Sequence, residues 1–550
     1  MKQLGKVNNL IISLYLFVML GFFPLYYRYQ YAKMGDEKYK IFLYTSSICI
    51  VISFLLCLWN VLLSYCINLK KRPIKKNEIA RLQNREHIKS YNCSRPLDFA
   101  VIIYFGAVIL SFVITDFKEF AWKGADGWFM GLLSQLLFVA VYFFVSKFWT
   151  YRPWALSLLG ISSALVFIIA VFHRFDVDLL SIYGNLKEEY KVLFLSTMGQ
   201  SSWYSSFLCT VFPIGLFIFF NERDRKKRTW AGVYSAIAMM SLVTQNTDSA
   251  FLSLFGVMMV LFYLSFDGKM KEFMEVLILI LASFCFMGVC QKIFAVRMIP
   301  LDTMSLFMSQ SACIWIVMIA VTGIYLWIYR GLIFAKKKGM KQKRKRTEEG
   351  TRKPVSKKIF WMVLAIVLVA FFLMIFFIIV NTNGLLLNII GYQSTNNYLL
   401  FDNQWGNGRG FAWKFAVATF AEMPLLQKLF GVGPDCFSAY AASVPEYLEL
   451  MKGFWGDLVL TNAHNEYLTK LYNIGVVGLL AYIMMLVTGV RIFIKNRDIN
   501  SFLPAFALCI VSYMAHNIFC YEQVCCTPFF YIILGIGSNL IHNQIKKSTY

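Results

Sequence analysis

The stretch 359–381, IFWMVLAIVLVAFFLMIFFIIVN, holds no charged residue, no proline and no glycine. About 20 apolar residues, rising ~1.5 Å each, are enough to cross the ~30 Å hydrocarbon core of a bilayer. The backbone finds no water to bond there, so the run reads as a membrane-spanning helix. Working outward, comparable runs lie at roughly 7–27, 41–66, 97–115, 128–148, 154–172, 202–220, 230–246, 249–266, 275–295, 307–334, 467–489, 501–518 and 524–541. The expected fold class is an all-α polytopic membrane protein with about 14 transmembrane helices (12–14). The N-terminus, Met1 to Lys6 and then an apolar run without a small-residue cleavage site, reads as a retained first span.

Composition agrees. Of 550 residues, 58% are hydrophobic, 17% aromatic and 15% charged, and the mean hydropathy is +0.58. These values exclude a soluble enzyme and a disordered tail, and alternating strands of a β-barrel are absent. The net charge of +24, from 54 Lys and Arg against 30 Asp and Glu, does not call for nucleic acid. Its basic blocks, 70–95, 223–228 and 336–358, lie between apolar runs, as cytoplasmic loops facing anionic membrane lipids do. With an even number of spans, both termini are expected in the cytoplasm. Most of the 13 cysteines lie in apolar runs, and Cys93, Cys436 and Cys525-Cys526 suggest neither a bridge framework nor a metal site. No metal and no cofactor is expected.

The expected organisation is N-terminal transmembrane helices over 1–190, central ones over 191–381 with a basic cytoplasmic loop 335–358, a large extracytoplasmic loop 382–466, and C-terminal helices with a cytoplasmic tail over 467–550. The large loop has aromatic and aliphatic content enough to fold. Its segment Arg409 to Gln427 has apolar residues at helical spacing, Gly431-Val432-Gly433-Pro434 reads as a turn, and Val444 to Lys452 as a second short helix.

Ala463-His464-Asn465 closes that loop, and after nine intervening residues come Gly475-Val476-Val477-Gly478. This H-N-x9-G-x-x-G pattern resembles the signature of the O-antigen ligase and O-antigen polymerase superfamily. Other matches follow the same order: Gly408-Arg409 with Trp413, then Pro424 and Gly431-Val432-Gly433 in the loop. Gly199-Gln200-Ser201-Ser202 stands upstream, and Asn517-Ile518-Phe519 with Thr527-Pro528 near the end. The resemblance covers roughly Met198 to Ile541. It implies a GT-C-like glycosyltransferase of the bacterial cytoplasmic (inner) membrane, independent of metal and inverting. The substrate implied is an undecaprenyl-diphosphate-linked glycan, transferred on the outer face to an acceptor hydroxyl. A chain-length regulator or another polysaccharide assembly protein is an implied partner.

The residues suit that chemistry. The acceptor hydroxyl must lose a proton as the anomeric carbon–oxygen bond breaks, and histidine is a base at neutral pH. Arg409 offers a planar charged fork for the leaving diphosphate. His464 and Arg409 are therefore the catalytic candidates. Lys414, Trp413, Asn465, Gln200 and His516 are candidates for substrate contact, and Gly475, Gly478, Gly431 and Gly433 form the structural motif. Gly475 and Gly478, three apart, suit the close approach of a neighbouring helix. Plainer readings stand beside these: His464 in headgroup contact or capping, Arg409 snorkelling to lipid phosphate, Asn465 capping its helix, His516 bonding a neighbouring helix. One position departs from the pattern. Asp248, in Asn246-Thr247-Asp248-Ser249-Ala250, stands where many ligases carry an arginine, and Arg174 or Arg297 are the alternatives. Ligase and polymerase differ only in acceptor, and the reading leans to polymerase. A lipid-linked oligosaccharide flippase and an inactive assembly scaffold remain as rivals.

Overall fold

In the computed structural model, residues 2–70, 96–184, 186–337, 357–456 and 459–547 are described. Cys93 and most of the basic segments 70–95 and 336–358 lie outside them. The described chain is helical almost throughout. Its departure from all-α is one antiparallel pair, Phe194–Leu195 with Gly199–Gln200.

Among the described residues, eight helices are long and apolar enough to cross a membrane: Leu4–Leu25, Met34–Leu63, Pro96–Ile114, Trp154–Arg174, Ser201–Asn221, Met270–Ile293, Lys358–Thr382 and Glu466–Lys495. Thr303–Gln310 and Ala312–Ile328, bent by 42°, make a ninth if taken as one span. The sequence count of about fourteen also took in four shorter apolar helices, Leu132–Phe148, Ser249–Ser265, Leu503–His516 and Thr527–His542. It further included Arg225–Leu242, whose first turn, Arg225-Lys226-Lys227-Arg228, is wholly basic.

Burial sorts these helices into inner and outer ones. Ser201–Asn221 is 83% buried and packs against Leu503–His516 and Arg225–Leu242, which explains why it is apolar on every side. Lys358–Thr382 is the opposite case: none of its apolar window is buried within the chain. Trp361, Phe371, Phe372 and Phe376 project outward from it, an apolar surface suited to hydrocarbon and not to water.

The segment 382–466 folds around a small core that it shares with Ala121 and with Phe112, Phe117 and Phe120. Leu385–Ile390, Trp405–Glu422, Leu425–Phe430, Phe437–Ser443 and Pro445–Trp455 are its helices. Phe415, Met423, Val432, Phe437 and Met451 pack with Ala463 and Tyr472, each large side chain contributing about 1.5–3 kcal/mol on burial. The helix expected from Arg409 ends at Glu422, just before Pro424, and Pro445 opens the next long one at its first position. The small core reaches the first turns of Glu466–Lys495, and so brings the large loop onto the residues that surround His464.

Candidate functional site

His464 sits in the turn that starts the helix Glu466–Lys495. Asn465 has extended backbone, and its side chain accepts a hydrogen bond from the Leu468 amide at 3.0 Å. This N-cap satisfies an otherwise orphaned donor, so Asn465 serves the helix in the way its plainer reading expected. Thr469 Oγ1 accepts from the Ala463 amide at 3.2 Å, and Asn462 Oδ1 from the His464 amide at 2.9 Å. These bonds hold His464 at φ 49°, a left-handed conformation costing about 1–2 kcal/mol for an L-residue. The imidazole is half-buried and meets the Tyr521 ring edge to face, centroids 5.1 Å apart. Burial, followed by the positive charge of Arg409, pushes His464 down to about 3. At neutral pH the ring is therefore uncharged.

Arg409 is presented by a local break. Gly406, Asn407 and Gly408 all have positive φ, 58°, 61° and 86°, and the helix becomes regular only from Arg409. Gly408 has no substitute, because a Cβ there would lie 2.5 Å from the Trp455 ring. The reversed turn lets Arg409 Nη1 donate to its own Gly406 carbonyl at 2.7 Å, while Nε donates to Phe519 O at 3.0 Å. Among the described residues no carboxylate forms an ion pair with Arg409 within 4 Å. Asp248, where an arginine was expected, accepts from the Tyr398 hydroxyl at 3.1 Å. Burial, followed by the charge of Asp302, raises its pKa, with Tyr398 and the charge of Arg409 opposing.

The other candidates divide. Trp413 stacks on Phe519, centroids 5.7 Å apart, and meets Trp405 at 5.2 Å, forming an aromatic wall beside Arg409. Gln200 joins the site through Tyr521, whose hydroxyl donates to its Oε1 at 3.2 Å. Tyr521 continues into Trp128 and Trp203. Lys414 is exposed and turned to Asn403 Oδ1, 3.3 Å away, and the Phe401 ring. His516 is fully buried and lies between Ser205 Oγ, at 3.0 Å, and Asn517 Oδ1, at 3.3 Å. Of the two alternatives to the missing arginine, Arg297 is exposed. Arg174 is fully buried and bonded to the carbonyls of Thr244, Gln245 and Val192 and to Ser201 Oγ.

The glycine motif works through backbone crossing. Gly475 has φ 68° and interrupts Glu466–Lys495, freeing carbonyls that the amides of Val432 and Gly433 take up, on Tyr472 O at 3.2 Å and Asn473 O at 2.9 Å. A Cβ on Gly431 would fall 2.2 Å from Asn473 O, and one on Gly475 2.3 Å from Leu429. The partner is thus the end of the six-residue helix Leu425–Phe430 and the turn after it. Gly478 does not share that crossing, since its nearest neighbour is Ile474 of the same helix.

The sequence reading missed the residues beneath this mouth. Lys470 Nζ lies 2.8 Å from Glu522 Oε2, 3.2 Å from Glu466 Oε1 and 2.9 Å from Tyr104 OH. They line a small cavity of about 30 Å³ with Asp435, Asn462 and Tyr521, room for about two waters. Asp435 accepts from the amides of Ala125, at 2.8 Å, and Met130, at 3.0 Å, and burial raises it to about 7. Charged residues four apart in an apolar helix were the available signal, because such groups are functional candidates by default.

Spans of this kind, with a folded insert over their mouth and a guanidinium that has no ion pair among the described residues, define a multi-pass membrane protein. Residues 298–483 match the O-antigen ligase family. That region contains Arg409, His464 and all four motif glycines, and its match bears out the resemblance to the O-antigen ligase and polymerase superfamily. No curated protein matches the chain. The family and the apolar helices identify a membrane protein of the polysaccharide-assembly type.

Proposed function

We propose that this protein transfers an undecaprenyl-diphosphate-linked glycan to an acceptor hydroxyl on the outer face of the bacterial cytoplasmic membrane. The observation that carries this reading is the single connection serving both candidates: Phe519 O holds Arg409 Nε at 3.0 Å, and Tyr521, two residues on, packs against His464. The acceptor O–H gives its proton to the neutral imidazole as its oxygen bonds to the anomeric carbon. The bond from that carbon to the diphosphate breaks, and undecaprenyl diphosphate departs with the bonding electrons, its charge received by Arg409. One such charge-stabilising contact is worth on the order of 10²–10³ in rate, and a placed general base about 10²–10⁴.

In this reading the shorter apolar helices complete about fourteen spans of a GT-C-like bundle with both termini cytoplasmic. The glycosyl transfer inverts the anomeric centre and uses no metal. The growing polysaccharide repeat is the favoured acceptor, which makes the protein a polymerase. The test is surface polysaccharide from a deletion strain complemented with wild type, His464→Ala or Arg409→Ala at matched membrane levels. Loss of polymer with accumulation of lipid-linked repeat units is expected. Full complementation by both variants would overturn the assignment in favour of a flippase or a scaffold.

A further inference from the structure

We propose that Glu522, bonded to Lys470 and Glu466, is a positioning residue of the transfer site: it fixes the connection 517–527 on which both Arg409 and His464 depend. This deepens the function proposed above and rests on it.

The connection leaves Leu503–His516 and enters the helix that begins at Thr527. Along it, Phe519 supplies the carbonyl to Arg409, Tyr521 the ring against His464, and Glu522 the anchor. Glu522 is bound on all sides. Its amide donates to Glu466 Oε2 at 2.7 Å, and Oε2 faces Lys470 Nζ at 2.8 Å. Oε1 accepts from the hydroxyls of Tyr482 and Tyr513, each at 2.9 Å. Glu466 adds a backbone tie, its amide donating to Asn517 O at 2.9 Å. The cluster thus joins the turn that carries His464 to the start and the middle of the connection.

Stability alone gives no reason for such a cluster. Two carboxylates and an ammonium, all almost inaccessible, carry a desolvation cost that apolar side chains of similar size would avoid. The directionality of its bonds supplies what apolar packing does not, one fixed register of the connection against the helix. A displacement of about 1 Å in a reacting geometry can reduce rate by ~10²-fold.

Glu522→Gln is a mild probe. Glu466 and Lys470 remain a balanced pair four residues apart, and the glutamine carbonyl still accepts from the tyrosines, so the fold is expected to hold while the tie to Lys470, which an amide NH2 cannot accept, is lost. Cys520, 1% exposed, reports on the connection without reference to any reaction. The experiment uses full-length protein in nanodiscs, with N-ethylmaleimide labelling read by peptide mass mapping and transfer from a lipid-linked repeat unit measured in parallel. Wild type is expected to keep Cys520 protected. Glu522→Gln, at unchanged helicity, is expected to open it to reagent and to lose about 10²-fold in transfer rate. Cys520 remaining protected in the variant overturns the proposal, whether or not the rate falls. Cys520 opened while transfer runs at the wild-type rate would leave the hold of Glu522 intact and defeat the assignment of Arg409 and His464 instead.

Discussion

Arg174 and Arg409 are both held by backbone carbonyls, yet the regions around them do different work. Arg174 closes the end of Trp154–Arg174 by binding three carbonyls and a serine hydroxyl, and it is fully buried. Every direction of its guanidinium is used inside the protein, and the segments it joins are those leading into Ser201–Asn221 and Ser249–Ser265. Arg409 makes two carbonyl bonds, stays half-exposed and has no ion pair among the described residues. A backbone carbonyl orients a guanidinium without cancelling its charge, and a carboxylate would do both. What remains after the internal bonds are counted distinguishes a structural arginine from one able to receive an anion.

Substitution should separate the two regions by the kind of loss. The largest effects are expected at the open mouth: His464→Ala lowers transfer rate by about 10²–10⁴-fold and Arg409→Ala by about 10²–10³-fold, with membrane levels unchanged, as quantitative blotting and a reconstituted assay would show. Arg174→Ala should behave in the opposite way. It leaves buried carbonyls without a donor, where hydrogen bonds to charged groups are worth about 1.5–3 kcal/mol each. Folded protein should fall several-fold, by detergent-resistant chromatography or thermal unfolding, while transfer per folded molecule holds. Normal levels in Arg174→Ala, or depleted levels in Arg409→Ala, would break the comparison.

A subtler effect is expected in pH dependence. Burial and then Arg409 hold His464 down to about 3, so the free protein keeps its base form throughout ordinary acid conditions. A bound diphosphate offsets the charge of Arg409 and raises the imidazole toward its ordinary value. The acid limb of kcat, which reports the complex, should therefore lie at higher pH than that of kcat/KM, which reports the free protein. Coincident limbs would show that Arg409 and the donor do not act on His464. The smallest effect is expected at Lys414, which is exposed and turned to Asn403: Lys414→Ala should change the transfer rate by less than about 2-fold, within the range of an exposed charge.

Much of this architecture could be read from the chain. Apolar runs mark the helices because lipid allows few alternatives, and the spacing from His464 to Gly475 marks the mouth because a cap and a helix break are local events. The number of spans was less legible. Arg225–Leu242 and the four short helices are helical for packing as much as for crossing, and hydropathy alone does not separate those reasons. The glycine pair was read as a helix-packing motif because its spacing allows that. Its role as a break is set by the carbonyls of Tyr472 and Asn473, which need partners from 432–433. Tyr521 and Glu522 were missed for a different reason. Their partners, Gln200 and Lys470, lie 321 and 52 residues away, and only the fold brings them together.

The measurement that tests the central claim most directly is a double-mutant cycle on reconstituted protein, following release of undecaprenyl diphosphate from a lipid-linked repeat unit in wild type, Arg409→Ala, His464→Ala and the double variant. If the two residues act as one site, each single change removes most of the rate and the double variant falls little below the slower single one. Single variants that turn over at the wild-type rate, or losses that simply multiply, would contradict a shared transfer site at this mouth.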